Sequence, residues 1–240
     1  MKYVLFDNDG ILVNSEETAV LHDPAFLAQF GLHFTVPEYA ALISGKTRAA
    51  LVAALNDASQ KQCGRDLPPN INDLLTANYV HQGLHHLKQV ENVAEIITLL
   101  DNAGIPKAVA SNGEYDSMCR KLRNVGLHDV FAPHLYNKDH VGGKPKPAPD
   151  VFLYALQQLG GKNPADCIVL DDSPTGTQAG RAAGMFVIGY SGGQHRLPGY
   201  DSALRANGAD IVVDTMEKAK QLIASMIAPP RPKALPGHTP

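Results

Sequence analysis

The apolar positions of this chain fall into two regimes. At the start, Val4-Leu5-Phe6 is a short unbroken apolar run that ends in Asp7-Asn8-Asp9-Gly10, the pattern of a strand buried on both faces that runs into a turn. From residue 15 to residue 87 the pattern is helical instead. Phe26, Leu27 and Phe30 lead to a stop at Gly31, followed by Tyr39 and Leu42, by Leu51, Ala54 and Leu55, and by a last segment from Leu74 to Leu87. No strand is predicted there. Beyond residue 88, helical periods and short apolar runs alternate. A helix carries Val93, Ile96, Ile97 and Leu100, and a strand follows at Pro106–Ala110. The next helix carries Met118, Leu122 and Val125 and is closed by Gly126, before a weaker strand at His134–Tyr136. Lys144–Asp150 then opens a helix with Phe152, Ala155, Leu156 and Leu159 on one face. A strand at Cys167–Leu170, a helix carrying Gly176, Gly180 and Gly184, and strands at Phe186–Gly189 and Ile211–Val213 complete the series.

Repeated alternation of this kind predicts an α/β fold, a doubly wound parallel sheet with helices on both faces. The expected division is a core of residues 1–14 and 88–227, an inserted all-helical segment of residues 15–87, and a disordered proline-rich tail of residues 228–240. In such sheets the ligand lies beyond the carboxyl ends of the strands. Asp7, Asp9, Ser111, Asp171 and Asp172 all fall at those ends.

Composition narrows the function. Net charge is -3 over 240 residues with no basic run, which argues against nucleic-acid binding. The first apolar run is too short for a secretory signal, no stretch approaches a membrane span, and the three cysteines, Cys63, Cys119 and Cys167, show no metal-ligand spacing. The expectation is a soluble cytoplasmic protein that touches neither nucleic acid nor membrane. No residue pattern speaks to an oligomeric interface.

Asp7 and Asp9, two residues apart just past a buried strand, are costly to hold without a cation or donors. An Asp-Gly turn is the bland alternative. The other strand ends shift the balance, because together they supply the parts of phosphoryl transfer through an aspartyl phosphate. Asp7 is placed as nucleophile and Asp9 as acid and then base. Ser111 and the backbone N–H groups of Asn112 and Gly113 are placed to hold phosphate oxygens, and Lys146 to offset negative charge. Asp171 and Asp172, with Asp7 and the Asp9 carbonyl, form a hard-oxygen set suited to Mg²⁺.

These motifs resemble those of the haloacid dehalogenase superfamily, in its branch with a helical cap after the first motif. Asp7-Asn-Asp9-Gly is similar to the first motif, Ser111 to the second, Lys146 before Pro-Ala-Pro-Asp to the third and Leu170-Asp171-Asp172-Ser-Pro-Thr-Gly176 to the fourth. The resemblance implies a Rossmann-like core, a cap that closes over substrate, Mg²⁺ dependence and small phosphate monoester substrates, with sugar or sugar-acid phosphates foremost. The presence of Asp9 favours ester hydrolysis over dehalogenase or phosphonate chemistry. Within the insertion, Ser44-Gly45-Lys46-Thr47-Arg48 resembles the specificity loop of β-phosphoglucomutase and related sugar phosphatases, which makes Lys46 and Arg48 candidate substrate contacts. A mutase that returns the phosphoryl group to substrate is the alternative reaction, and a binding module without catalysis the remaining one. Asn14 departs from the acid many relatives carry before the Ser-Glu pair, at the hinge of the insertion. His81, His85 and His86 stand at one-turn spacing but lack a nearby acid or cysteine partner for zinc, and are read as a polar face. The Gly189–Gly193 loop has the chemistry to touch phosphate.

Overall fold

A computed structural model describes residues 1–43, 48–80, 84–193, 196 and 198–227. Six parallel strands, β1 (Tyr3–Phe6), β2 (Lys107–Ser111), β3 (Leu135–Asn137), β4 (Cys167–Asp171), β5 (Phe186–Tyr190) and β6 (Ile211–Val213), form one sheet in the order β3-β2-β1-β4-β5-β6. The order reverses at β1, which pairs with β2 on one side and β4 on the other, with Phe6 opposite both Val109 and Leu170. This is the Rossmann-like arrangement, and its switch point lies at the end of β1.

Alternation along each strand explains why both faces are covered. Val4, Phe6, Val109, Ile168 and Leu170 point to one side, where α6 (Val93–Asn102), α7 (Tyr115–Asn124) and α12 (Met216–Ile227) pack. Leu5, Ala108, Ala110, Val169 and Val187 point to the other, against α9 (Asp150–Gln158) and α10 (Pro174–Ala182). The short α8 (His128–Phe131) and α11 (Tyr200–Ala206) complete the core.

Between β1 and α6 lie α1 (Ser15–Leu27), α2 (Val36–Ile43), α3 (Arg48–Cys63), α4 (Ile71–Asn78) and the single turn α5 (Leu84–His86). They bury their own cluster, including Val20, Leu27, Tyr39, Leu51, Leu55, Ile71 and Leu75. The two ends of the segment are tied together at Asn14. Its N–H donates to the Lys88 carbonyl (3.0 Å) and its Oδ1 accepts the Lys88 N–H (2.7 Å), an acceptor role that an aspartate fills equally well.

Several expected boundaries move, β2 among them, which runs from Lys107 to Ser111 instead of Pro106 to Ala110. The proline run Lys144–Pro149 precedes α9 instead of forming its first turn, because the helix begins only at Asp150. Gly184 lies beyond α10, in the left-handed region at φ 74°, where it ends the helix. Strand β3 is shifted by one residue toward Asn137. The expected tail, residues 228–240, lies outside the described residues, as does His81.

Within the helical segment the Tyr39 hydroxyl donates to Asp23 Oδ2 at 2.8 Å, and both residues are buried. Burial pushes the Asp23 carboxyl up to about 6, outweighing the Tyr39 hydrogen bond and the nearby Arg48 charge that favour ionisation. The folded state therefore holds this proton more tightly than the unfolded chain, so Asp23 costs stability as pH rises from about 4 to 6. Asp23→Asn keeps the acceptor for Tyr39 and removes the titration. Urea unfolding is expected to show a gain on the order of 1–2 kcal/mol at pH 8 and none at pH 4.

Candidate active site

The strand ends converge. Asp7 follows Phe6 directly, and its N–H donates to the Leu170 carbonyl at 2.9 Å, which fixes it beside the end of β4. The chain then turns at Gly10, whose φ of 78° lies in the left-handed region, and a Cβ there would stand 1.8 Å from Asp172 Oδ2. Gly126 has a similar φ of 75° with nothing nearby. Gly126→Ala should therefore cost only the strain of that conformation, about 1–2 kcal/mol. Gly10→Ala adds a collision with a buried carboxylate, and chemical denaturation should show a loss clearly greater than that of Gly126→Ala.

Lys146 joins the parts. Its side chain is buried between exposed Pro145 and Pro147, and its Nζ donates to Asp7 Oδ1 at 2.7 Å and to Asp171 Oδ2 at 2.8 Å. The ammonium also stands 4.5 Å from the centre of the Phe152 ring. The Asn112 side chain places this lysine. Asn112 Oδ1 accepts the Lys146 N–H (2.7 Å) and Asn112 Nδ2 donates to the Lys146 carbonyl (3.2 Å). One lysine cannot neutralise all the acid around it. Burial, reinforced by Asp171, pushes Asp7 up to about 7 despite the Lys146 charge, while Asp171 and Asp7 hold Lys146 well above its ordinary value against its own burial.

Asp7, Asp171 and Asp172 are all buried, and each offers an oxygen within 4.8 Å of the others. Burial pushes Asp172 well above the usual carboxylate range. Asp171 is also held by Ser173, whose N–H (2.9 Å) and Oγ (2.8 Å) both donate to Oδ1, and Ser173 in turn caps α10 by accepting the Gly176 N–H. A buried set of three hard oxygen donors with one lysine among them fits a divalent cation such as Mg²⁺. Arg196 also reaches the set, pairing with Asp172 and, at 3.0 Å, with Glu16 of α1, and it stacks over Tyr200, whose hydroxyl donates to the Asp172 carbonyl at 2.9 Å.

On the other side of Asp7, Ser111 is buried at the end of β2 and its Oγ accepts the Gly113 N–H at 3.1 Å. Asn137, at the end of β3, donates to the Gly113 carbonyl at 3.1 Å and steadies that turn. Asp9 faces the same turn, since its Oδ2 lies 3.7 Å from where a Cβ on Gly113 would stand. Its Oδ1 is taken by Ser15 Oγ and by Lys121 Nζ of α7. Burial works against ionisation of Asp9, but Lys121 and Ser15 together outweigh it and lower its pKa.

Residues 4–190 match the haloacid dehalogenase-like hydrolase family. The chain belongs to that family. Among relatives, a bifunctional riboflavin kinase/FMN phosphatase of Arabidopsis thaliana is 30% identical over 186 residues, 77% of this chain and 47% of that protein, so the chain spans about half its length. A phosphoglycolate phosphatase of Haemophilus influenzae is 29% identical over 217 residues, 89% of this chain and 94% of that one. The crystal structure of a haloacid dehalogenase family hydrolase from Deinococcus radiodurans, with bound phosphate and sodium, has a TM-score of 0.81 at 33% identity and covers 95% of this chain and 98% of its own.

In this haloacid dehalogenase-like hydrolase the residues expected from the sequence divide clearly. Asp7, Lys146, Asp171 and Asp172 are in contact or within ligand distance of one another, and Ser111, Asn112, Gly113 and Asp9 adjoin them. The Asp9 carboxylate is not part of the acidic triplet. Lys144, the competitor of Lys146, is exposed and pairs with Asp150 at 2.8 Å. Arg48 is exposed and engaged within the helical segment, donating to Asn72 Oδ1 (2.7 Å), the Asn72 carbonyl (3.3 Å) and Thr76 Oγ1 (3.3 Å). Lys46 lies outside the described residues. The Ser191 N–H and hydroxyl of the glycine-rich loop turn to the Val213 carbonyl of β6. All three cysteines are free, and among the described residues no helix is long and apolar enough to cross a membrane. Lys121, Asn137 and Arg196 were not anticipated. A lysine in the last turn of a helix and an arginine in a Gly/Pro-rich loop read as solvated charges until the fold places them.

Proposed function

We propose that this protein is a Mg²⁺-dependent phosphatase of small phosphorylated metabolites, sugar or sugar-acid phosphates, working through an aspartyl phosphate on Asp7. The observation that carries the reading is the buried Lys146 ammonium bonded to Asp7 beside a second carboxylate, since it lets an anionic nucleophile meet an anionic substrate. Asp7, Asp171 and Asp172, with the Asp9 carbonyl, are the groups that would hold the metal. When bound, the metal supplies positive charge that screens nucleophile and phosphate from each other.

Ser111 and the N–H groups of Asn112 and Gly113 bind and orient the phosphate oxygens. An Asp7 carboxylate oxygen attacks phosphorus, forming an Asp7–O–P bond as the bond to the leaving oxygen breaks. Asp9 gives that oxygen its proton. In the free enzyme Asp9 is ionised beside Lys121; the proton it passes on is taken from solvent, or from a substrate that arrives as its monoanion, as the phosphate charge raises the proton affinity of Asp9. Asp9 then accepts a proton from water as water attacks phosphorus, the Asp7–O–P bond breaks, and inorganic phosphate leaves. Residues 15–87 act as a cap over this cycle, hinged where Asn14 meets Lys88.

The test is phosphate release from a panel of sugar phosphates, phosphoglycolate and p-nitrophenyl phosphate, with Mg²⁺ or with a chelator. Metal-dependent release supports the reading and ranks substrates. No release, with isomerisation of a sugar phosphate once a sugar bisphosphate is added, would assign a mutase instead.

A further inference from the structure

The Lys121 ammonium is a half-buried cation committed to Asp9, and its place is hard to explain as surface charge. It pairs with Asp9 Oδ1, and its side chain is only 15% exposed. Ser15 donates to the same oxygen, so Oδ1 is occupied twice while Oδ2 faces Gly113. The carboxylate plane is thereby fixed, with one edge held and the other turned to the phosphate turn. Lys121 is itself held from two sides. It belongs to α7, which begins four residues after Ser111, and its ammonium stands 5.6 Å from the centre of the Tyr79 ring, just past α4. The phosphate turn and the cation that orients Asp9 are thus borne by one continuous piece of chain.

Resting on the phosphatase reading above, we infer that Lys121 is a positioning residue for leaving-group protonation: it holds Asp9 Oδ1 so that Oδ2 delivers its proton to the ester oxygen. A second effect follows from charge. Asp9 as a bare carboxylate would repel an incoming phosphate, and Lys121 offsets that repulsion.

The readout that separates positioning from mere folding is the leaving group. An alkoxide leaves poorly without a proton, whereas p-nitrophenolate leaves readily without one. Lys121→Met is compared with the native enzyme on p-nitrophenyl phosphate and on whichever alkyl phosphate of the panel the native enzyme turns over fastest. The expected result is a fall in kcat/KM, which reports the steps up to departure of the leaving group, of about a hundredfold on the alkyl ester and of less than about fivefold on the aryl ester. Lys121→Arg, which keeps the charge and a donor, should restore most of the alkyl activity. Equal losses on both esters, or no loss on the alkyl ester, would overturn the assignment. If the methionine variant does not fold, Lys121→Gln is measured in its place with the same two outcomes deciding. Native enzyme that releases phosphate from neither ester defeats the phosphatase reading itself, a result distinct from a failure of the Lys121 assignment.

Discussion

Asp7→Asn should abolish metal-dependent phosphate release, by at least about a thousandfold in kcat, while making the metal-free protein more stable. Activity is lost because an amide oxygen is a poor nucleophile for phosphorus. The stability gain has a separate origin. The Asp7 carboxyl is pushed up to about 7 in the folded state by burial and by Asp171, so ionising it there costs free energy that the unfolded chain does not bear. A group raised in this way lowers stability as pH climbs from about 4 toward 7, and the cost is complete above that. Asparagine removes the cost. In chelator at pH 8 the variant should unfold later than native protein, by on the order of 2 kcal/mol, and at pH 4 the two should coincide. A variant that is inactive and also less stable at pH 8 would contradict this account of the site.

Lys146→Met should move stability the opposite way. Lys146 bonds both Asp7 and Asp171, and all three side chains are buried. Removing the ammonium leaves those carboxylates without it, and breaking a buried pair by deleting one partner costs about 3–5 kcal/mol. Part of that loss should return in two ways. Lowering the pH from 8 to 6 lets Asp7 take a proton, and adding MgCl₂ supplies the missing positive charge. The variant should therefore gain more stability from Mg²⁺ than native protein does, measured as the shift in denaturation midpoint with and without chelator. Activity should fall along with it, since the nucleophile and phosphate lose the cation between them. Equal Mg²⁺ shifts in the two proteins would show that Lys146 and the metal do not share a charge environment.

The parts of the chain that were legible from sequence are those where one physical demand acted alone. Strands β1, β4 and β5 are buried on both faces, so Val-Leu-Phe, Ile-Val-Leu and Val-Ile stand as unbroken apolar runs. β1 and β4 end where side chains change abruptly from apolar to acidic, and the site lies at that change. Helix α1 was legible only at its far end, through Phe26, Leu27 and Gly31, because nearer the site it buries Ser15, Thr18 and Asp23. A helix that turns polar residues inward does not show an apolar stripe. The expectation for Arg48 came from resemblance, and its side chain is engaged with Asn72 and Thr76 of α4, contacts across 24 and 28 residues that no local pattern carries. Asn112 was expected to serve through its backbone N–H, and its side chain proves to hold the Lys146 backbone from both sides, a contact across 34 residues that no local pattern carries.

The central claim is that the phosphoryl group passes through Asp7 before it reaches water. Two in-line displacements restore the configuration at phosphorus, whereas direct attack by water inverts it. The deciding measurement is hydrolysis by the native enzyme of a phosphorothioate ester made chiral at phosphorus with two oxygen isotopes, in water carrying the third, so that the inorganic thiophosphate released is itself chiral. The account predicts net retention. Net inversion would mean that water attacks the substrate directly and that Asp7 is not the nucleophile.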